Sequence, residues 1–427
     1  MLVFPTPSGP TRTTNAPRLD LGLTPTPCLS DQITRPGRKS VPRRVRILHL
    51  HTRYRQPGGE DRVVDAEREL LARAGYEIVA CDVENAPDLR AGVQFAASSW
   101  NFASGRRVRD LLDREQPDVA HIHNTWFAGS PSVIGAIGRA GVPSIMTLHN
   151  YRLTCIAATL SRDGRPCDLC VHGSGWNGVR HRCYRDDLAS SAIALAGTNS
   201  TRATALRHVS TFAVLTEFAR EVYVEAGFDP ERLIVLPNFT EDPGPRNLPA
   251  EKSETVLFIG RLSPEKGIDR FLDAWEKSGT GLRLLVIGEG PLGAVLRRRH
   301  PDISFTGHLQ PDEVRQLLLE ARCLALPSTW YEGQSLVLLE AMAAGVPIMA
   351  SDWPPIAETL SSSAAMLIDA HDVDAWVSAI RRVAADDGLI SSASRASRDR
   401  WAGRHSPRAG LERLRDAYKS IVERAHG

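Results

Sequence analysis

The chain has 427 residues, 42% of them hydrophobic and 24% charged, enough to bury the cores of two ordinary domains, and this excludes a disordered or fibrous class. Lys and Arg number 52 against 50 Asp and Glu, so bulk charge gives no reason to expect nucleic acid. An odd cysteine count of 7 without a secretory h-region points to a reducing, cytoplasmic setting, and no apolar run reaches the ~18 to 20 residues of a spanning helix.

Residues 1–43 are rich in Pro, Thr, Ser and Arg and read as a disordered tail. Order is expected from Val45, where VRILHL is a short apolar run of buried-strand type. In the loop HTRYRQPGGED, Gly58 and Gly59 precede a helix expected over 61–74, and a glycine pair there lets backbone amides approach a ligand. YEIVACDV, a helix near 104–114, PDVAHIHN, a helix after Ser130 and PSIMTLHN continue the rhythm of a parallel, doubly wound sheet. Two strand ends carry His121 with His123 and then His149, and carboxyl ends of strands in such sheets face the ligand crevice.

An insert over 151–184 interrupts this rhythm, with Asp163 and Gly164 as a hairpin turn. Cys155, Cys167, Cys170 and Cys183 flank that turn with zinc-ligand spacing, and His172 and His181 could substitute. A structural zinc and a set of free thiols are equal alternatives. An Ala-rich helix from about Leu188, FAVLTEF, a helix to Ala226 and RLIVLPNF complete a first domain over 44–242. The polar, Pro-rich stretch 243–254 is the natural linker.

TVLFIGRLSPEKGID opens a second domain over 255–405. Its strand ends at Gly260, Arg261 leaves the carboxyl end and Lys266 stands at the entrance of the next helix, so two cations converge as a diphosphate requires. LRLLVIGEGP, ISFTGHLQPDEV with Gly307, His308 and Leu309, and CLALPS lead to WYEGQSLVLLEAMAAGV. A helix expected there over 335–344 is apolar nearly all round, the pattern of a buried helix. Glu340 in its middle must face a basic partner or a hydroxyl-rich ligand. Glu332 lies eight residues earlier, Gly333 permits close backbone approach, and Ser335 is an N-cap whose following amides form an anion site. Asp372 and Asp374 form a D-x-D that opens a helix and reads as capping. Leu411, Leu414, Tyr418 and Ile421 give an amphipathic helix over 406–427.

Glu332 and Glu340, followed by EAMAAG, resemble the E-x7-E signature of the retaining, nucleotide-sugar-dependent glycosyltransferases of family 4, and GRLSPEKG is similar to that family's G-R-x4-K-G element. The resemblance runs from Val45 to the end. It implies an α/β GT-B fold of two Rossmann-like domains facing a cleft, acceptor side first and donor side second, with the terminal helix crossing back onto the first domain. It implies sugar transfer from a UDP- or GDP-sugar to a hydroxyl of a saccharide or lipid-linked acceptor in surface polysaccharide synthesis, with no metal needed for chemistry. Arg261 and Lys266 would stabilise the departing diphosphate, Glu340 would accept from the ribose, Glu332 would hold the donor sugar, and His149 would contact the sugar or the reacting hydroxyl. Gly59, Gly260, Gly307, His308, Leu309, Gly333, Gln334, Ser335 and Leu336 would line the donor site. Pro354 and Pro355 depart from the family pattern, standing where a glycine pair is usual. Arg106, Arg107 and Arg109 on one predicted helix suit peripheral contact with the inner membrane face. Two rivals are a nucleotide-sugar epimerase of the same fold, which would need several acidic residues in the first half, and a non-catalytic sugar-nucleotide binder, which would have lost Arg261, Lys266 or Glu332.

Overall fold

In the computed structural model the described residues are 44–54, 58–86, 90–360 and 365–426, so the expected tail over 1–43 lies outside them. Two six-stranded parallel sheets organise the chain within one unit, Val45–Gly427. The sheet of the first lobe runs in the spatial order Glu77–Glu84, Arg46–Arg53, Val119–Ile122, Ser144–Leu148, Thr211–Val214, Leu233–Val235. The sheet of the second runs Ser304–Gly307, Arg283–Ile287, Thr255–Ile259, Cys323–Leu326, Ile348–Ser351, Met366–Ile368. Strand order reverses between Arg46–Arg53 and Val119–Ile122, and again between Thr255–Ile259 and Cys323–Leu326. Crevices open outside the carboxyl ends of strands at such points, which is where Gly260, Arg261 and Glu332 follow in one lobe and His123 in the other.

Strands covered by helices on both faces read as continuous apolar runs, and TVLFI, CLAL and SIMTL do so. Arg46–Arg53 differs in carrying His49 and His51 at alternate positions, and Val119–Ile122 in carrying His121, with His123 just past the strand end. The register sets His49 beside His121, so both project from the same face of the sheet.

The helix expected over 335–344 spans Leu336–Ala343, and Gly345 at φ 62° ends it. Ser335 occupies the N-cap position, but its side chain makes no capping bond. The first helix, Gly59–Arg73, begins earlier than expected because Asp61 reaches back to accept the Gly58 N–H at 2.8 Å. Around Asp163 and Gly164, both at positive φ, Ser161–Arg162 pairs antiparallel with Arg165–Pro166. Asp372 accepts the Ala375 N–H, as capping requires. Pro354 and Pro355 open the helix Pro354–Leu360, whose Glu358 accepts the N–H groups of Glu217 and Phe218 in the first lobe, at 2.8 and 3.1 Å. The C-terminal helix, Pro407–His426, crosses back onto the first lobe, burying Leu411, Leu414, Tyr418 and Ile421. There Arg424 Nη2 donates to Thr211 Oγ1 at 2.8 Å.

Gly267 and Gly279 flank the helix Ile268–Ser278 at φ 66° and 62°. A Cβ on Gly267 would lie 1.9 Å from the Pro327 carbonyl oxygen, whereas one on Gly279 would meet nothing within 4 Å. Gly279→Ala should therefore cost only the left-handed penalty of about 1 to 2 kcal/mol, and Gly267→Ala distinctly more. Chemical denaturation of both variants checks this, and equal losses would show that the Pro327 contact is easily relieved.

Candidate active site

On the second-lobe side, Lys266 Nζ lies 2.6 Å from Glu332 Oε1 and 5.4 Å from the centre of the Trp330 ring. Ser328 Oγ donates to the same carboxylate oxygen at 2.5 Å. The Glu332 side chain is 7% exposed. Burial alone would raise its pKa, but the Lys266 charge and the hydrogen bonds from Lys266 and Ser328 hold it below the usual carboxylate range. Arg261 is exposed just beyond Gly260 and has no ion-pair partner among the described residues. Gly333 follows Glu332, and a Cβ there would sit 2.4 Å from the His149 carbonyl oxygen. Only glycine lets this loop pack onto the backbone of the first lobe.

Glu340 is half-buried and meets a basic partner from the other lobe, Arg62 Nη1 at 2.7 Å. Burial pushes its pKa up against the pull of Arg62. A Cβ on Gly59, at the start of the first helix, would lie 3.7 Å from Leu336 Cδ1. The Gln334 side chain braces the loop: its Oε1 accepts the Asn238 N–H at 2.7 Å and its Nε2 donates to Thr359 Oγ1 at 3.4 Å. Gly307 adopts φ 77° and its carbonyl accepts the Gly288 N–H, while His308 is exposed and Leu309 half-buried.

On the first-lobe side, His149 follows Ser144–Leu148 with its Nε2 3.0 Å from His123 Nδ1. Burial lowers its pKa, opposed by the nearby Glu60. Glu60 accepts from Asn150 Nδ2 and from the Tyr54 hydroxyl, each at 2.8 Å. Sequence reasoning missed Glu60, because an acid in the first turn of a helix reads as dipole capping.

Behind His149 lies a second set, in which His121 and His123, expected at the crevice, are joined by His49 and Glu67, which sequence reasoning missed. Glu67 on the first helix turns inward to His49, His121 and His123. Burial drives the Glu67 carboxyl up to about 8 and the His121 imidazole down to about 3. His51 is separate, with its Nε2 2.9 Å from Asp61 Oδ1.

Cys155 is buried, and Cys167, Cys170 and Cys183 are half-buried free thiols. Burial, reinforced by the neighbouring sulfurs, pushes Cys170 up to about 11 and Cys183 in the same direction. Among the described residues, the group whose ligand atoms all lie within 4.8 Å of one another is His49, Glu67, His121 and His123, not the cysteines.

Residues 34–238 match the family model for the glycosyl transferase 4-like domain, and residues 253–386 match that for glycosyl transferases group 1. The glycogen synthase of Mycobacterium tuberculosis is 33% identical over 404 residues, 83% of this chain and 90% of that protein. The chain belongs to glycosyltransferase family 4. Among solved structures, this glycosyltransferase is similar to sucrose-phosphate synthase from Thermosynechococcus elongatus, with a TM-score of 0.66, 16% identity, and coverage of 89% of this chain and 100% of that one. It is also similar to Anabaena Alr3699/HepE in complex with UDP and glucose, with a TM-score of 0.62, 16% identity, and coverage of 88% and 100%. At that identity the likeness establishes the GT-B fold.

The buried Lys266–Glu332 pair has a measurable pH signature. Glu332→Gln should cost up to about 3 kcal/mol, the low end for breaking a buried pair, since Lys266 keeps 21% of its side chain exposed. The Glu332 pKa is depressed on folding, so its contribution is complete above the unfolded value of about 4.3 and is lost as pH falls through the folded value. Melting temperatures of both proteins from neutral to acid pH should therefore converge below about pH 4. A penalty independent of pH would rule out an ionised Glu332.

Proposed function

We propose that the protein is a retaining glycosyltransferase that moves a sugar from a UDP- or GDP-sugar to a hydroxyl of a saccharide or lipid-linked saccharide in surface polysaccharide synthesis. No divalent cation at the diphosphate is needed. The observation that carries this reading is the Lys266–Glu332 pair, 2.6 Å apart, in the same lobe as the exposed Arg261, which has no ion-pair partner among the described residues. A carboxylate suited to sugar hydroxyls and an ammonium suited to a diphosphate are adjacent, as the sugar and the diphosphate are in one donor. The leaving diphosphate gains negative charge in the transition state, and cations already in place meet it without reorganisation.

The first helix and the helix Leu336–Ala343 begin beside each other, so their free amides and positive dipole ends reinforce the two cations. Glu340 holds Arg62 through Oε1, while its other oxygen, unpartnered among the described residues, suits ribose hydroxyls. His149, kept neutral by burial, suits contact with the sugar or the reacting hydroxyl. Arg106, Arg107 and Arg109 are exposed on the helix Phe102–Glu115, and Phe102 is 80% exposed. That combination favours an anionic, lipid-linked acceptor met at the cytoplasmic face of a membrane. No helix among the described residues is long and apolar enough to cross one.

Donor turnover with EDTA added at the start of the assay should proceed at the normal rate. Arg261→Ala and Lys266→Ala should each lower the turnover rate by about a hundred- to a thousandfold, the usual effect of removing one preorganised electrostatic group. Loss of activity in EDTA that magnesium or manganese restores, or near-normal rates in both variants, would overturn the mechanism.

Calorimetric titration with the donor tests the ribose contact separately. Glu340→Ala should weaken binding by about ten- to a hundredfold. Arg62→Ala, whose partner bond is largely exposed, should change it by less than about fivefold. Equal losses would mean that Glu340 acts through the lobe contact and not through the donor.

A further inference from the structure

The face of the first sheet covered by the first helix is polar where a core should be apolar. His49 and His121 are in register on adjacent strands, His123 follows, and all three are buried against Glu67. Glu67 Oε2 lies 3.4 Å from His123 Nε2, 3.5 Å from His49 Nε2 and 3.6 Å from His121 Nδ1. The two Nε2 atoms of His49 and His123 are 3.4 Å apart. Hydrogen bonds to a carboxylate are about 2.7 to 2.9 Å long, so the carboxylate contacts are too long for that. They match instead the separation of about 3.4 Å between tetrahedral ligands that each lie ~2.0 to 2.1 Å from one zinc ion. Glu67 Oε2 is fully enclosed and makes no hydrogen bond among the described residues. Arg68, its neighbour on the helix, is directed to Asp82 and to the His49 carbonyl.

We propose that the first lobe holds a divalent transition-metal ion of the zinc class, bound by His49 Nε2, Glu67 Oε2, His121 Nδ1 and His123 Nε2. Three imidazoles and one carboxylate suit zinc, and four protein ligands make a closed, structural site. Two of the ligands already have the outer contacts that orient metal-binding imidazoles: His121 Nε2 meets Thr147 Oγ1 at 2.7 Å, and His123 Nδ1 meets His149 Nε2 at 3.0 Å. His49 Nδ1 has no such contact among the described residues. The Tyr418 hydroxyl, 2.8 Å from His121 Nδ1, flanks the site and yields that bond to the ion. A cavity lined by His123, Thr147, His149 and Glu60 borders the cluster and offers an entry path. A cation on His123 Nε2 leaves that ring's proton on Nδ1, where it is donated to His149 Nε2, so neutral His149 carries its own proton on Nδ1. Only this last consequence rests on the glycosyltransferase reading of His149.

The test is metal analysis of the freshly purified full chain, together with cobalt titration of wild-type protein stripped by a chelator. About one zinc per chain is expected in wild type and in Cys167→Ser. Glu67→Gln, which keeps the shape but removes the charge, and His49→Gln should each lower the metal content at least about tenfold. Cobalt should give the visible bands of a tetrahedral ion without a thiolate-to-cobalt band in the near ultraviolet. A trace of metal with no cobalt bands, a thiolate band, or metal retained by both Glu67→Gln and His49→Gln would overturn the site. The cobalt spectrum is read on the wild type, so it decides even if a variant fails to fold. Metal content is independent of turnover, so failure here leaves the roles of Arg261 and Lys266 standing, and the reverse.

Discussion

A carboxylate as enclosed as Glu332 keeps its charge because Lys266 and the Ser328 hydroxyl meet it, and the loops at the second lobe's crevice hold that pair in place. Each partner comes from a loop after a different strand on either side of the strand-order reversal. Lys266 is presented by the short turn Pro264–Lys266, which closes through the positive φ of Gly267. The loop carrying Glu332 is fixed by Trp353 Nε1, which donates to the Ser328 carbonyl at 2.7 Å, and by the Thr329 N–H, which donates to the Glu265 carbonyl at 2.9 Å. A buried ion pair is weak evidence of stability, because its desolvation offsets much of its Coulomb gain.

The lobes meet through contacts of unequal strength. Phe218 and Tyr331 pack with ring centres 4.8 Å apart, Gln334 ties the central loop to Asn238, and Glu358 caps two N–H groups of the first lobe. These bury groups or satisfy amides that would otherwise be orphaned. The Arg62–Glu340 bond differs, since Arg62 is 45% exposed and such a bond adds little stability. A contact of this kind can be given up at little cost.

That Lys266 and Glu332 come together was legible in the sequence because they fall within two short segments at strand ends, where a parallel sheet leaves few choices of direction. What stayed hidden depended on partners far away in the chain. Glu340 required either a base or a ligand, but Arg62 stands 278 residues from it, and nothing local selects it. Gln334 lies inside the motif yet points to Asn238 and Thr359, a use that only the fold reveals. Glu67 had a readable signal. Val63, Val64, Leu70 and Leu71 form the buried stripe of the first helix, and Glu67 falls on that stripe at helical spacing. An acid on an apolar stripe, with His-x-His on two adjacent strands, is a signal of a buried polar cluster that the sequence carries.

The second sheet supplies a control for that cluster. At its own reversal the paired strands place Leu257 beside Leu324 and Phe258 beside Ala325, all buried, so this architecture does not need polar residues there. The first sheet carries histidines at the matching place and sets a carboxylate over them, contrary to the apolar pattern of the surrounding core. Such a conflict between local sequence and global fold weakens a protein unless the groups satisfy one another or a ligand. Tyr418, 297 residues from His121, reaches the same cluster from the C-terminal helix. The helix that returns from the second lobe therefore packs against the polar centre of the first.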